Sequence, residues 1–94
     1  MDINKETESQ IKELQILEQS MQSILMQKQA FQLEFSEVEN AITELGKTSE
    51  EVYKIVGNIM IKYSKDNLNK ELKQKKDLIS LRLKSLDSQE KDLE

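Results

Sequence analysis

The chain has 94 residues, of which 36% are hydrophobic and 4% are aromatic. It contains no cysteine and no histidine, so neither a disulfide nor a Cys/His zinc site can stabilise it. Because so few apolar residues give a small core, we expect the chain to associate with other chains. The lack of proline, the two glycines and the 34% of charged residues are typical of long helices.

The net charge of −4 is unevenly distributed along the chain. Residues 1–46 carry nine acids and three lysines, whereas residues 64–94 carry eight bases and seven acids. Neither part has the basic stripe of a nucleic-acid-binding protein, and no apolar run approaches the roughly 18 residues of a membrane span. The polar start MDINKETESQ is unlike a secretory signal. We therefore expect a cytoplasmic protein that binds neither nucleic acid nor membrane.

A heptad pattern runs through the first half of the chain. Alternating steps of three and four residues from Leu14 meet apolar side chains at nine of ten positions, and Lys28 is the exception. We interpret Lys28 as a snorkelling or register-setting residue. Gly46 follows the last apolar position, where glycine commonly ends a helix. The pattern predicts a helix over about 4–45 with these seam residues: Leu14, Leu17, Met21, Ile24, Phe31, Phe35, Val38, Ile42 and Leu45.

The segment VYKIVGNIMIKY, residues 52–63, is rich in β-branched and aromatic strand formers. Its central Gly57-Asn58 suits a two-residue hairpin turn, which needs a positive φ that glycine accepts and asparagine tolerates. Such a turn sets five cross-strand pairs: Val52 with Tyr63, Tyr53 with Lys62, Lys54 with Ile61, Ile55 with Met60, and Val56 with Ile59.

Both faces of this hairpin are mostly apolar, and both of its edges lack a partner strand. An isolated hairpin of two strands is marginally stable at best in water. The two helices of one chain can shield one face only, so copies or sister subunits are expected to cover the rest. The predicted subunit interface consists of Val52, Tyr53, Ile55, Val56, Ile59, Met60, Ile61 and Tyr63.

A second helix is predicted over about 65–93, with Ser64 as its N-cap and Asp66 in its first turn. Two heptad registers, which start at Leu68 and at Asn69, fit the apolar residues equally well, so the register stays open. Both registers contain the same four apolar positions: Leu72, Ile79, Leu86 and Leu93. The fold class is therefore mostly α, with one domain over 1–94 in which a hairpin joins two long helices that form an antiparallel coiled coil.

The two chain ends should lie together, at the end of the coiled coil far from the hairpin. From the helix lengths, the first helix should extend beyond the second by roughly 15–20 Å. Exposed apolar groups at such a tip can contact many unrelated chains, because Met and Leu adapt to varied partners. The predicted tip set, which would bind such chains, is Ile3, Ile11, Leu14, Leu17, Met21, Leu83, Leu86 and Leu93.

Enzyme chemistry has little support in this sequence. It has no histidine, cysteine or Gly-rich phosphate loop, and two helical arms form no concave pocket. Helical spacing does not fold carboxylates around an ion, so we interpret the acids from Glu34 to Glu44 as a solvated helix face. We predict no catalytic residue, no cofactor and no metal site.

Helix, VYKxVGxxxxK hairpin and helix, at about this length, resemble the β-type subunits of the archaeal prefoldin family. The similarity covers nearly the whole chain, and the hairpin residues are its most specific part. In and after the hairpin it rests on Val52-Tyr53-Lys54, Val56-Gly57, Lys62, Lys65-Asp66, Glu71-Leu72-Lys73, Arg82-Leu83, Leu86 and Gln89-Glu90-Lys91. In the first helix it rests on Gln27-Lys28-Gln29, Gln32-Leu33-Glu34 and Val38-Glu39-Asn40-Ala41.

The resemblance implies a hexamer of two α-type and four β-type subunits, in which the hairpins join into a double β-barrel platform. Six coiled-coil arms would extend from this platform, hold unfolded proteins at their tips without ATP, and pass them to a group II chaperonin. Two other hypotheses remain: a structural coiled-coil adaptor that binds one dedicated partner, and a carboxylate-dependent hydrolase. Binding of several unrelated denatured proteins would distinguish the chaperone from the adaptor.

Overall fold

The computed structural model describes residues 4–93 of the chain. In chain order its elements are α1 (Lys5–Lys47), β1 (Val52–Val56), β2 (Ile59–Tyr63) and α2 (Lys65–Leu93). The helices pack against each other in antiparallel directions, and β1 and β2 form a hairpin at one end of a rod that measures 73 × 28 × 15 Å. The predicted arrangement of two long helices joined by a hairpin is confirmed.

The first helix begins with a side-chain cap and ends without the predicted glycine stop. Asn4 Oδ1 accepts a hydrogen bond from the Thr7 amide at 2.8 Å, which satisfies one of the free amides of the first turn. Gly46 lies within the helix, which continues to Lys47, so the prediction that Gly46 ends the helix was wrong. The chain instead leaves the helix at Thr48, which has an extended backbone and whose Oγ1 accepts a hydrogen bond from the Glu50 amide at 3.2 Å.

The hairpin has the predicted register, from Val56 opposite Ile59 out to Val52 opposite Tyr63. Gly57 has a φ of +60°, and no other residue within 4–93 has a positive φ. A positive φ at the first turn residue alone matches a type II′ turn, whose twist suits a hairpin. Of the two predicted turn residues, Gly57 therefore has the positive φ and Asn58 does not.

Only one residue, Ser64, separates β2 from α2. Its Oγ accepts a hydrogen bond from the Asn67 amide at 3.3 Å, and its carbonyl accepts one from the Leu68 amide at 2.9 Å. Asp66 lies in the first turn, where a carboxylate suits the helix dipole. The second strand therefore leads directly into the second helix through a capped junction.

The core is a narrow seam between the two helices. Its five buried side chains among the described residues are Ile24, Val38, Leu45, Ile79 and Leu86. All five belong to the heptad positions predicted from the sequence, so the heptad pattern marks the face on which the helices meet.

The seam also decides which heptad register the second helix uses. In the register that starts at Asn69, Lys76, Leu83 and Glu90 are half-buried, whereas Lys75 and Arg82 of the other register are exposed. The long charged side chains at the seam have partners across it, which compensates for their partial burial. Within residues 4–93, neither helix contains a stretch that is long and apolar enough to cross a membrane.

Candidate functional site

The hairpin exposes most of its apolar side chains. Val52 and Tyr63, at the root of the hairpin, are half-buried next to the helices. The other six residues of the predicted interface are exposed, from 46% for Ile61 to 70% for Ile55: Tyr53, Ile55, Val56, Ile59, Met60 and Ile61. The sheet has two strands in the described part of the chain, so each strand keeps one edge that can pair with another strand.

On the face that carries Val52 and Tyr63, a polar cluster connects the hairpin to the second helix. Glu71 accepts a hydrogen bond from Lys54 Nζ at 3.1 Å and a second from the Tyr63 hydroxyl. The Lys54 ammonium also lies 5.1 Å from the centre of the Tyr63 ring. The hydrogen bond from Tyr63, and then that from Lys54, lowers the pKa of Glu71, and Glu71 in turn raises the pKa of Tyr63.

A second polar cluster lies at the other face of the hairpin. Glu51 accepts hydrogen bonds from Lys62 Nζ at 2.8 Å and from the Tyr53 hydroxyl at 3.1 Å. These bonds, that of Lys62 first, lower the pKa of the Glu51 carboxyl. Sequence reasoning placed both tyrosines in the interface but did not anticipate that each hydroxyl has a carboxylate partner.

At the other end of the rod, the first helix exposes a group of apolar side chains. Ile11, Leu14 and Leu17 are 40–61% exposed. Met21, Leu83 and Leu93 of the predicted tip set are half-buried. Leu86 is buried in the seam, which removes it from the surface, and Ile3 lies outside the described residues.

The predicted tip set also missed exposed apolar residues of the same region. Ile16 and Met26 are 62% and 70% exposed, and both lie off the heptad seam from which the prediction was made. A search for apolar residues outside the seam positions would have found them. Ile16 also lines an open groove of about 570 Å³ near the end of α2, together with Gln19, Ser20, Ser23, Ile24, Gln27, Gln89, Asp92 and Leu93.

Lys28 bridges the two helices close to this groove. Its Nζ lies 2.8 Å from Asp87 Oδ1 and 2.8 Å from Glu90 Oε2, and its side chain is 20% exposed. The hydrogen bonds to Asp87 and Glu90 raise the pKa of Lys28. The only charged residue among the ten seam positions of the first helix therefore has two carboxylates as partners.

Two acids of the first helix form ion pairs with lysines of the second helix. Glu34 lies 3.4 Å from Lys75, and Glu39 lies 3.3 Å from Lys76. No group of three or more carboxylates in the described range 4–93 is arranged to hold a metal ion. These acids connect one helix to the other rather than converging on a ligand.

Comparisons with known proteins agree with this architecture. The family model described as "Prefoldin subunit" matches residues 8–94. Prefoldin subunit beta of Archaeoglobus fulgidus is 34% identical over 94 residues, which are 98% of this chain and 81% of that protein. Prefoldin subunit beta of Methanothrix thermoacetophila is 37% identical over 95 residues, which are 99% of this chain and 79% of that protein.

A solved structure shares the same fold. The crystal structure of the prefoldin beta subunit from Thermococcus strain KS-1 superposes with a TM-score of 0.86 and 34% sequence identity. The match covers 98% of this chain and 82% of the other. With the family match over residues 8–94, these similarities show that the chain belongs to the prefoldin subunit family, and to its β type.

Proposed function

We propose that this chain is a subunit of an ATP-independent holdase, which binds unfolded proteins at the tips of its arms and delivers them to a group II chaperonin. Membership of the prefoldin family supports a chaperone role. The observation that carries the finer proposal is the exposure of apolar side chains at both ends of the rod. One end serves assembly, and the other serves client proteins.

Assembly would take place at the hairpin, which forms part of an intersubunit β-barrel. The exposed Ile55, Met60 and Ile61 support this proposal, because a stable single chain does not leave so many apolar groups of one hairpin in water. The unpaired strand edges offer backbone hydrogen bonds to neighbouring hairpins. The assembly that we propose is a hexamer of two α-type subunits and four copies of this chain, each a single domain.

Client binding would take place at the opposite end, at exposed Ile11, Leu14 and Leu17 of the first helix. Apolar groups on a narrow arm can contact an unfolded chain without enclosing it. Leu and Met side chains adapt to differently shaped partners, which suits the binding of many sequences. The proposal assigns this chain no catalytic residue and places it in the cytoplasm, where the chaperonin would receive the client.

Aggregation assays on unrelated denatured proteins test this function. We expect this chain, mixed with an α-type subunit, to suppress light scattering of at least two such proteins at near-stoichiometric ratio without ATP. Adding a group II chaperonin should then move labelled client from the hexamer to the chaperonin on a sizing column. An adaptor with one dedicated partner would suppress none of them, and that result would reject the holdase.

A further inference from the structure

The hairpin has few restraints that fix its direction relative to the helices. It joins α2 through Ser64 alone and joins α1 through residues 48–51. Val52, Val56, Ile59 and Tyr63 lie on the same face of the hairpin. Val52 and Tyr63, at the root, are half-buried next to the helices, whereas Val56 and Ile59, beside the turn, are exposed. Apolar packing therefore holds only the root of the hairpin, and a hinge at the one-residue connection would allow it to tilt.

The carboxylate of Glu71 accepts hydrogen bonds from both strands of this hairpin. Lys54 belongs to β1 and Tyr63 belongs to β2, and both donate a hydrogen bond to Glu71, six residues into the second helix. The Lys54 ammonium at 5.1 Å from the Tyr63 ring connects the two donors to each other. Because the three groups come from three different elements, the cluster opposes tilting of the hairpin and rotation of the helix together.

We propose that Glu71 is a positioning residue, which sets the angle between the hairpin and the coiled-coil arm through its hydrogen bonds to Lys54 and Tyr63. Glu71 is 42% exposed and Lys54 is 41% exposed, so the cluster contributes little to overall stability. The cluster instead fixes the direction of the hairpin. Each carboxylate oxygen of Glu71 accepts from a different strand, and both hydrogen bonds can form only over a narrow range of angles between hairpin and helix. Where hairpins join subunits, this angle sets how far the arms spread.

Glu51 provides a matched control for this proposal. It also accepts hydrogen bonds from a lysine and a tyrosine, Lys62 and Tyr53, but all three residues lie in the hairpin and the loop before it. Replacing Glu51 with glutamine therefore removes the same kind of charge without touching the second helix.

The test measures the distance between the hairpin turn and the second helix. Since the chain contains no cysteine, Asn58→Cys and Gln74→Cys give two unique positions for spin labels, and dilution with unlabelled chain isolates distances within one subunit. We expect Glu71→Gln to widen the distance distribution to at least about twice that of the parent, as a released hinge would. The Glu51→Gln distribution should keep the parental width.

Tyr63→Phe removes one hydroxyl donor and keeps the ring, so it should widen the distribution to a smaller extent even if Glu71→Gln fails to fold. Helix content by circular dichroism identifies a variant that does not fold. If Glu71→Gln and Tyr63→Phe both fold and both keep the parental width of the distance distribution, the proposal is overturned. If only Tyr63→Phe folds, a parental width in that variant overturns it. Equal widening in Glu51→Gln would overturn it as well, because the effect would then come from any loss of charge near the hairpin.

Discussion

Lys28 is a charged side chain at a seam position where nine neighbours in the heptad pattern are apolar. The residue type alone indicated snorkelling or a role in setting the register. In the structure its ammonium lies 2.8 Å from a carboxylate of each of two residues, Asp87 and Glu90. Sequence reasoning found the exceptional residue but not its partners, because the sequence alone left the register of the second helix open.

This ion-pair cluster leads to a prediction about stability. Asp87→Asn combined with Glu90→Gln should lower the melting temperature by roughly 5 °C, because the Lys28 ammonium would lose both partners at a partly buried site. Lys28→Met should change the melting temperature by less than about 2 °C, since an apolar side chain of similar length fits the seam. Thermal unfolding followed by circular dichroism at one protein concentration measures both changes.

Lys75→Met is the control for that comparison, because it removes an exposed lysine whose partner Glu34 lies 3.4 Å away on the helix surface. An exposed pair of this kind contributes little to stability. If the double variant melts at the same temperature as the parent, the cluster at Lys28 has no stabilising role.

At the scale of elements, the hairpin was predictable to the level of residue pairs. Alternating β-branched residues around Gly57-Asn58 give one register, and the structure confirms all five pairs. The end of the first helix was not predictable in the same way. Gly46 is compatible with a helix as well as with a helix stop. The helix ends only after Lys47, where the Glu50 amide donates a hydrogen bond to Thr48 Oγ1 instead of joining a further helical turn.

The hairpin also carries the prediction about assembly. Ile55→Asp or Ile61→Asp should break the oligomer and raise its dissociation constant at least about a hundredfold, because each would bury an unpaired carboxylate in the proposed barrel. Helix content should change little, since both side chains lie outside the helical seam. Light scattering coupled to a sizing column measures the mass.

Leu33→Asp is the matched control, because it adds the same charge at a position on the first helix that is 63% exposed. We expect this variant to keep the parental mass. Unchanged mass in both hairpin variants would show that the hairpin is not the assembly surface.

At the scale of the whole molecule, the two apolar surfaces lie toward opposite ends of a rod that is 73 Å long. The hairpin lies at one end, and the exposed Ile11, Leu14 and Leu17 lie toward the other. Such a separation lets one end be changed without disturbing the other, which makes the two proposed roles separately testable.

Shortening the first helix tests the role of the tip. Deletion of residues 1–17 should leave the number of subunits in the assembly unchanged. It should weaken client holding at least about threefold, because it removes exposed apolar area. Suppression of aggregation at increasing chaperone-to-client ratios measures the effect.

Leu14→Gln with Leu17→Gln keeps the length of the helix and should weaken holding in the same direction. The paired control is Leu78→Gln with Leu81→Gln, which changes exposed leucines in the middle of the second helix. If the tip variants hold clients as well as the parent does, the client surface lies elsewhere on the arm.

The sequence by itself determined the two helices, the hairpin and its register, because each depends on local periodicity and on a turn with one demanding backbone position. Tertiary structure alone decided the register of the second helix and the carboxylate partners of Lys28 and Tyr63. Those features depend on which residues of two distant segments face each other. That alignment comes from the packing of whole helices rather than from any short pattern.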